Sequence, residues 1–149
     1  MMIQDMTREM SLSLLQKTQL GRLACAQGLQ PYVTPFSFAY YDEQLYSFGT
    51  LGKKIEWMRA NPLVCVEVED IASREKWESV VIFGRYQELP DTAEFQELRV
   101  LAHDLLAMIP NWWHPGYAKT AHLGSDRPLQ PVYFRISIGE MTGHRGMPA

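Results

Sequence analysis

The sequence predicts a mainly β domain, six antiparallel strands closed into a barrel with short helices on its flanks. Three observations carry this. Polar and apolar residues alternate over strand-length runs, as in Leu63–Ile71, where Val64, Val66 and Val68 take one face and Cys65, Glu67 and Glu69 the other. The strands follow one another in hairpin order, without the strand–helix–strand rhythm of a parallel sheet. So many strands avoid exposed edges best when the sheet closes on itself. The 149 residues, 46% hydrophobic and 21% charged, are enough for one domain with its own core, spanning residues 1–149, and exclude wholesale disorder.

Element by element, Ser11–Gln19 reads as a short helix with Met10, Leu12 and Leu15 on one face, ended by Gly21. Gly21–Ala26 is a strand, and Gln27-Gly28 a turn. Tyr32–Tyr41 reads as one long strand; Pro35, which cannot donate to a ladder, marks an edge, a bulge or a close approach. Asp42-Glu43 turns the chain tightly into the strand Gln44–Thr50. Lys53–Ala60 is a helix with Ile55 and Met58 inward, stopped by Asn61-Pro62. The strands Leu63–Ile71 and Trp77–Leu89 follow. Asp91, with Glu94 three residues on, reads as a helix N-cap for an apolar face of Phe95, Leu98, Ala102, Leu105 and Ile109. Residues 110–131 form a long loop bearing Pro, Trp and Gly, and Val132–Ile138 is the last strand.

Charge and composition narrow the function. Fourteen Lys and Arg against seventeen Asp and Glu give a net charge of -3, a poor match to a nucleic-acid binder. No apolar run is long enough to cross a membrane, and the first ten residues carry acids and no apolar core, so no membrane association and a cytoplasmic location are expected. Cys25 and Cys65 read as reduced thiols or as a bridge between adjacent strands. His103, His114, His122 and His144 lack ligand spacing, and no metal site is expected.

The chemistry concentrates in Ser47-Phe48-Gly49-Thr50-Leu51-Gly52-Lys53-Lys54. A strand ends, two glycines bracket a threonine, and a helix opens on two lysines. Cations at a helix N-terminus oppose the macrodipole unless an anion sits there. Backbone N–H groups, the Thr50 hydroxyl and two ammonium groups therefore describe a phosphate cradle, the alternative being two solvated lysines after an ordinary turn. Thr34, Phe36, Ser37 and Phe48 flank the same hairpin, and Trp77 and Ser79 open a later strand; these could wall a planar ligand or belong to the core. In the long loop, Trp112 reads as a pin holding the loop to the barrel, and Trp113 and His114 as contacts at a ligand edge or a subunit boundary.

From Leu20 to Leu89 the pieces GRLAC, QPYVTPFSFAYYDEQLYSFGTLGKKIEWMRANPLVCVEVED and WESVVIFGRYQEL stand in order, and in this the chain resembles the pyridoxamine 5′-phosphate oxidase-like FMN-binding split-barrel family, nearest its nitroimidazole-resistance-type branch. The resemblance implies a six-stranded split barrel and a homodimer with two FMN molecules at the subunit boundary. It implies that Thr50, Lys53 and Lys54 hold the FMN phosphate, that Thr34, Pro35, Phe36, Ser47, Phe48 and Gly49 line the rest of the cofactor, and that Trp77 and Ser79 complete the site. Phe48 stands where that branch often has histidine, and the C-terminal YFRISIGEMTGHRGMPA does not match the Trp and Arg pattern of the vitamin oxidases, Arg135 being read as an outward-facing strand charge. The function implied is an FMN-dependent reductase or oxidase of a small molecule, with NAD(P)H as a transient reductant; no catalytic side chain stands out. A non-catalytic flavin carrier or sensor, or a barrel holding haem or another planar cofactor, are the alternatives.

Overall fold

In a computed structural model of the chain, residues 1–110, 119–122, 125–128 and 131–149 are described. Among these residues, ten strands and three α-helices run in the order β1 (Met2–Asp5), α1 (Arg8–Lys17), β2 (Leu20–Gln27), β3 (Gln30–Ser37), β4 (Ala39–Tyr41), β5 (Gln44–Thr50), α2 (Lys53–Ala60), β6 (Leu63–Ile71), β7 (Trp77–Glu88), α3 (Gln96–Leu106), β8 (Lys119–His122), β9 (Ser125–Pro128) and β10 (Pro131–Met147). Strands β8 and β9 pair only with each other, and the rest form one antiparallel sheet, in the order β3-β2-β6-β7-β10-β5-β4, with β1 added to β10.

The two ends of that sheet, β3 and β4, are consecutive in sequence and separated by one residue, Phe38. The strand expected over Tyr32–Tyr41 therefore breaks at Phe38, passing from one edge of the sheet to the other. The alternation of Tyr32, Thr34, Phe36, Phe38 and Tyr40 runs unbroken through the break, so periodicity could not reveal it. Phe38 is fully buried, its N–H bonds the Gln19 carbonyl at 3.0 Å, and its ring lies 5.5 Å from that of Phe36. Gly21 makes room beneath: a Cβ there would meet the Glu67 carbonyl at 2.9 Å and the Phe38 ring at 3.3 Å. With β3 and β4 counted as one, the barrel proper has the six strands expected. Pro35 sits on an edge strand, opposite Arg22 of β2, so its missing N–H costs no ladder bond.

Three other expectations are corrected. The last strand does not stop at Ile138 but continues to Met147, with a register shift against β7 between Ile138 and Met141. Its second half has no apolar alternation; it is held by β7 on one side and by β1 on the other. Gly146 allows this, since the Trp77 indole nitrogen would lie 2.5 Å from a Cβ there. The first helix starts at Arg8 rather than Ser11, because the Thr7 hydroxyl accepts the Met10 N–H at 3.2 Å, and its buried face is Ser11, Leu14 and Leu15. The third is preceded by a single 3₁₀ turn at Ala93–Phe95 with no side-chain cap, so Asp91 is not the cap.

The Asp42-Glu43 turn is as tight as expected, both residues at positive φ (48° and 58°), the geometry of a two-residue hairpin. The barrel interior is filled from β2, β3, β5, β6, β7 and β10 and from α1 and α2, by Leu15, Leu23, Phe36, Phe38, Leu45, Ile55, Val66, Ile82 and Phe134 among others. A second cluster, Tyr46, Leu89 and Ala102 with Phe95, Leu98 and Leu105, seats α3 on the outside of β5.

Phe38→Ala empties the residue on which closure turns; unfolding in urea should show a loss of about 3–5 kcal/mol, among the largest single-site effects in this barrel.

Candidate functional site

Where β3 leaves the sheet and β5 ends, the barrel wall parts. The cleft has a volume of about 240 Å³ and is walled by Pro35, Phe36 and Ser37 of β3, Phe48, Gly49 and Thr50 of β5, and Lys54 of α2, with Leu20 and Leu106 closing its sides. None of these residues carries a carboxylate. The Ser47 hydroxyl, buried, donates to the Ser37 carbonyl at 2.7 Å and ties the two walls together behind the cleft. Phe36 is both core and wall, almost wholly buried against Phe38. Phe48 presents its ring edge-on to Tyr133, with centroids 4.8 Å apart.

The two lysines have different surroundings. Lys53 is exposed and rests over the rings of Tyr32 and Trp57, 5.5 and 5.8 Å from their centroids. Lys54 turns inward over Gly49, where a Cβ would touch its Cε at 3.6 Å and its Nζ at 3.7 Å. Among the described residues no carboxylate lies within 4.0 Å of the Lys54 ammonium. Burial holds its pKa below the ordinary lysine range, with the Cys25 thiol acting weakly the other way, and burial pushes that thiol up. Two residues before it, Gly52 occupies the N-cap of α2 and offers no side-chain acceptor. The first N–H groups of the helix are thus left to whatever enters the cleft. Thr50 and the half-buried Lys54 ammonium share the cleft wall, the positive start of α2 adjoins them in the chain, and what they fit chemically is an anion.

Of the residues singled out in the sequence, Pro35, Phe36, Phe48, Gly49, Thr50 and Lys54 meet in this cleft, with Ser47 behind it. Thr34 lies next to it, its hydroxyl only 3.5 Å from the Pro35 carbonyl. Trp77 and Ser79 do not line it within one chain. They lie on the outer face of β7, opposite Ile71 and Glu69. Trp112, Trp113 and His114 lie outside the described residues. Leu20 and Leu106 were missed; the one available signal was Leu20, a large apolar residue exposed by 55% at a strand start. Arg135 faces outward, held by Gln87 at 2.7 Å and Tyr46 at 3.3 Å. Cys25 faces the interior and Cys65 the outside, both free, with Ala24 rather than Cys25 opposite Cys65. Among the described residues no group of three or more His, Cys, Asp or Glu could hold a metal ion, and no helix is long and apolar enough to cross a membrane.

The family profile described as pyridoxamine 5′-phosphate oxidase matches residues 7–145. The chain belongs to that family. It is 39% identical over 143 residues to an uncharacterized protein of Rhizobium meliloti (strain 1021), covering 96% of this chain and 95% of the relative. Among solved structures it is similar to an FAD-binding protein from Mesorhizobium loti, at 37% identity with a TM-score of 0.80 over 99% of both chains. The fold is also that of an FAD-binding protein from Mycobacterium smegmatis, 15% identical, with a TM-score of 0.68 over 98% of this chain and 100% of that one. The family's split barrel is the architecture described above, and flavin binding is common to these structural neighbours.

Half-buried Lys54, its pKa lowered, binds fewer protons folded than unfolded between that pKa and the ordinary value of 10.5. Its contribution to stability therefore rises with pH across that window. Lys54→Met should stabilise the ligand-free protein near neutral pH and remove this alkaline gain; parallel urea titrations of both proteins at about pH 7 and pH 10 measure the difference.

Proposed function

We propose that this chain binds FMN in the cleft and works as an FMN-dependent oxidoreductase of a small molecule, as a homodimer. The observation that carries the reading is the half-buried Lys54 ammonium, with no carboxylate within 4.0 Å of it among the described residues, beside a start of α2 that has no side-chain cap. Lys54, Thr50 and the α2 N–H groups would hold the phosphate, and Pro35, Phe36, Phe48 and Gly49 the remainder of the cofactor. Bound flavin supplies one- and two-electron redox chemistry. The chain's own part is to fix its orientation, neutralise the phosphate and exclude water with Phe36, Phe48, Leu20 and Leu106.

Cofactor sites usually enclose about 300–1,000 Å³. At about 240 Å³ the cleft of one chain is less than that, which supports a site finished by a second copy. On this reading Trp77 and Ser79 come from the second copy. NAD(P)H, with no binding domain of its own in the chain, would dock transiently over the flavin. Two free cysteines fit a reducing, cytoplasmic setting. FAD is the second reading, favoured by the Mesorhizobium loti relative described as FAD-binding. Identifying the flavin released by acid from the purified protein separates the two, and anaerobic NAD(P)H separates an enzyme, whose flavin bleaches, from a carrier.

In a fluorescence titration FMN should bind more tightly than riboflavin. A charge-assisted bond to phosphate is worth about 1.5–3 kcal/mol, so Lys54→Ala should weaken FMN binding roughly ten- to a hundred-fold. Lys53→Ala removes an exposed charge and should cost only several-fold, an effect that added salt erases. Equal affinity for FMN and riboflavin would take the phosphate cradle out of the site.

A further inference from the structure

Two walls of the cleft belong to elements of different kind. Phe48 comes from β5, a strand of the sheet, and Leu106 from the last turn of α3, a helix outside it. Ladder hydrogen bonds therefore cannot set the distance between them; side chains must. The apolar cluster of Tyr46, Leu89 and Ala102 presses α3 onto β5, but apolar contact has no direction. By itself it fixes neither the turn of the helix about its own axis nor the angle of the Phe48 ring.

Tyr133 of β10 stands between the two. Register sets it directly opposite Phe48, so both side chains share one face of the sheet, and the rings meet edge-on with centroids 4.8 Å apart. From α3, the Arg99 guanidinium lies 4.9 Å from the centroid of the Tyr133 ring, and His103 Nδ1 lies 3.2 Å from its hydroxyl. Arg99 is itself held, donating to the Leu89 carbonyl at 2.7 Å and lying 3.8 Å from the Asp91 carboxylate. Arg99, His103 and Leu106 succeed one another along one face of α3. An edge-to-face ring pair, a cation over a ring and a hydrogen bond each demand an orientation, which the apolar cluster does not supply.

Resting on the flavin reading above, we infer that Tyr133 is a positioning residue for the cleft. It sets the Phe48 ring through the aromatic pair and the Leu106 side chain through His103 and Arg99, and so fixes the gap between the two walls. Tyr133 itself is not part of the cleft lining, so it acts through its neighbours and not by touching the cofactor. A planar ring held between apolar walls forfeits much of its contact when the gap opens by a fraction of an ångström. The phosphate, held by Lys54 and Thr50 at the start of α2, is insensitive to that gap. Tyr133 and Lys54 therefore govern opposite ends of the same ligand.

Fluorescence titrations of the full chain with FMN and with riboflavin, together with visible circular dichroism of the bound flavin, test this. Tyr133→Leu should weaken both ligands by the same factor, roughly threefold to tenfold, and change the dichroism of the flavin that still binds. Lys54→Ala, by contrast, should weaken FMN alone. Tyr133→Phe and His103→Ala remove the same hydrogen bond from opposite sides. Each should weaken both ligands by less than Tyr133→Leu does, and the double variant no further than either single one. His103→Asn, whose amide stands in for Nδ1, should restore wild-type binding. Variants that melt earlier yet bind both flavins with wild-type affinity and dichroism would reduce Tyr133 to a structural residue and overturn the inference. A loss of FMN affinity with riboflavin spared would overturn its action on the ring end. A wild type that binds neither flavin would overturn the flavin reading itself, and the positioning role with it.

Discussion

Closure at a single residue governs this structure. The sheet begins with β3 and ends with β4, and Phe38 alone carries the chain between them. Because one strand supplies both edges, the barrel wall must part where that strand crosses over. The parting is held at a fixed width by the Ser47 hydroxyl on the Ser37 carbonyl and by the Phe36 and Phe38 rings beneath. The cleft is thus a product of topology, and β5 runs straight from it into the start of α2. The residues that bind are placed by the same event that closes the core.

Electrostatics then give the cleft its sign. A lysine drawn into a barrel wall with no carboxylate beside it among the described residues is a cost that the fold carries in the absence of a ligand. The start of α2 adds partial positive charge at the same point, and Gly52 contributes no side chain to cancel it. Lys53, one residue earlier, meets none of these conditions, since its ammonium stays in water above two aromatic rings. Adjacent positions on a helix point about 100° apart, and here that rotation separates a cation turned into the cleft from a surface one.

How much of this was legible in the sequence depended on whether packing or only periodicity decided each element. The bounds of α2 and β6 could be read to the residue, since Asn61-Pro62 and the valine alternation fix them locally. The break at Phe38 could not, because the residue obeys the alternation on both sides of it. Nor could β1 and the second half of β10, whose apolar pattern is absent and whose pairing is entirely tertiary. At the site, the turn from Ser47 to Lys54 was visible as a cation-rich helix start, so its chemistry could be named. Which lysine turns inward, and that Trp77 and Ser79 stand on a different face from the cleft, are facts of rotation and register that linear spacing does not hold.

One feature of β10 bears on how the chain reaches this state. It bonds to β7, β5 and β1, so among the described residues the strand with the most partners is the last in sequence. Its ladder with β1 joins Met2 to Met147, a separation close to the whole length of the chain. Contacts of such long range make loop closure expensive and folding slow, on the millisecond-to-second scale of barrels. A nascent chain without β10 presents β5 and β7 with bare edges, open to pairing with another chain. The late arrival of this one strand therefore makes the interval before closure the time when the protein is most exposed to aggregation.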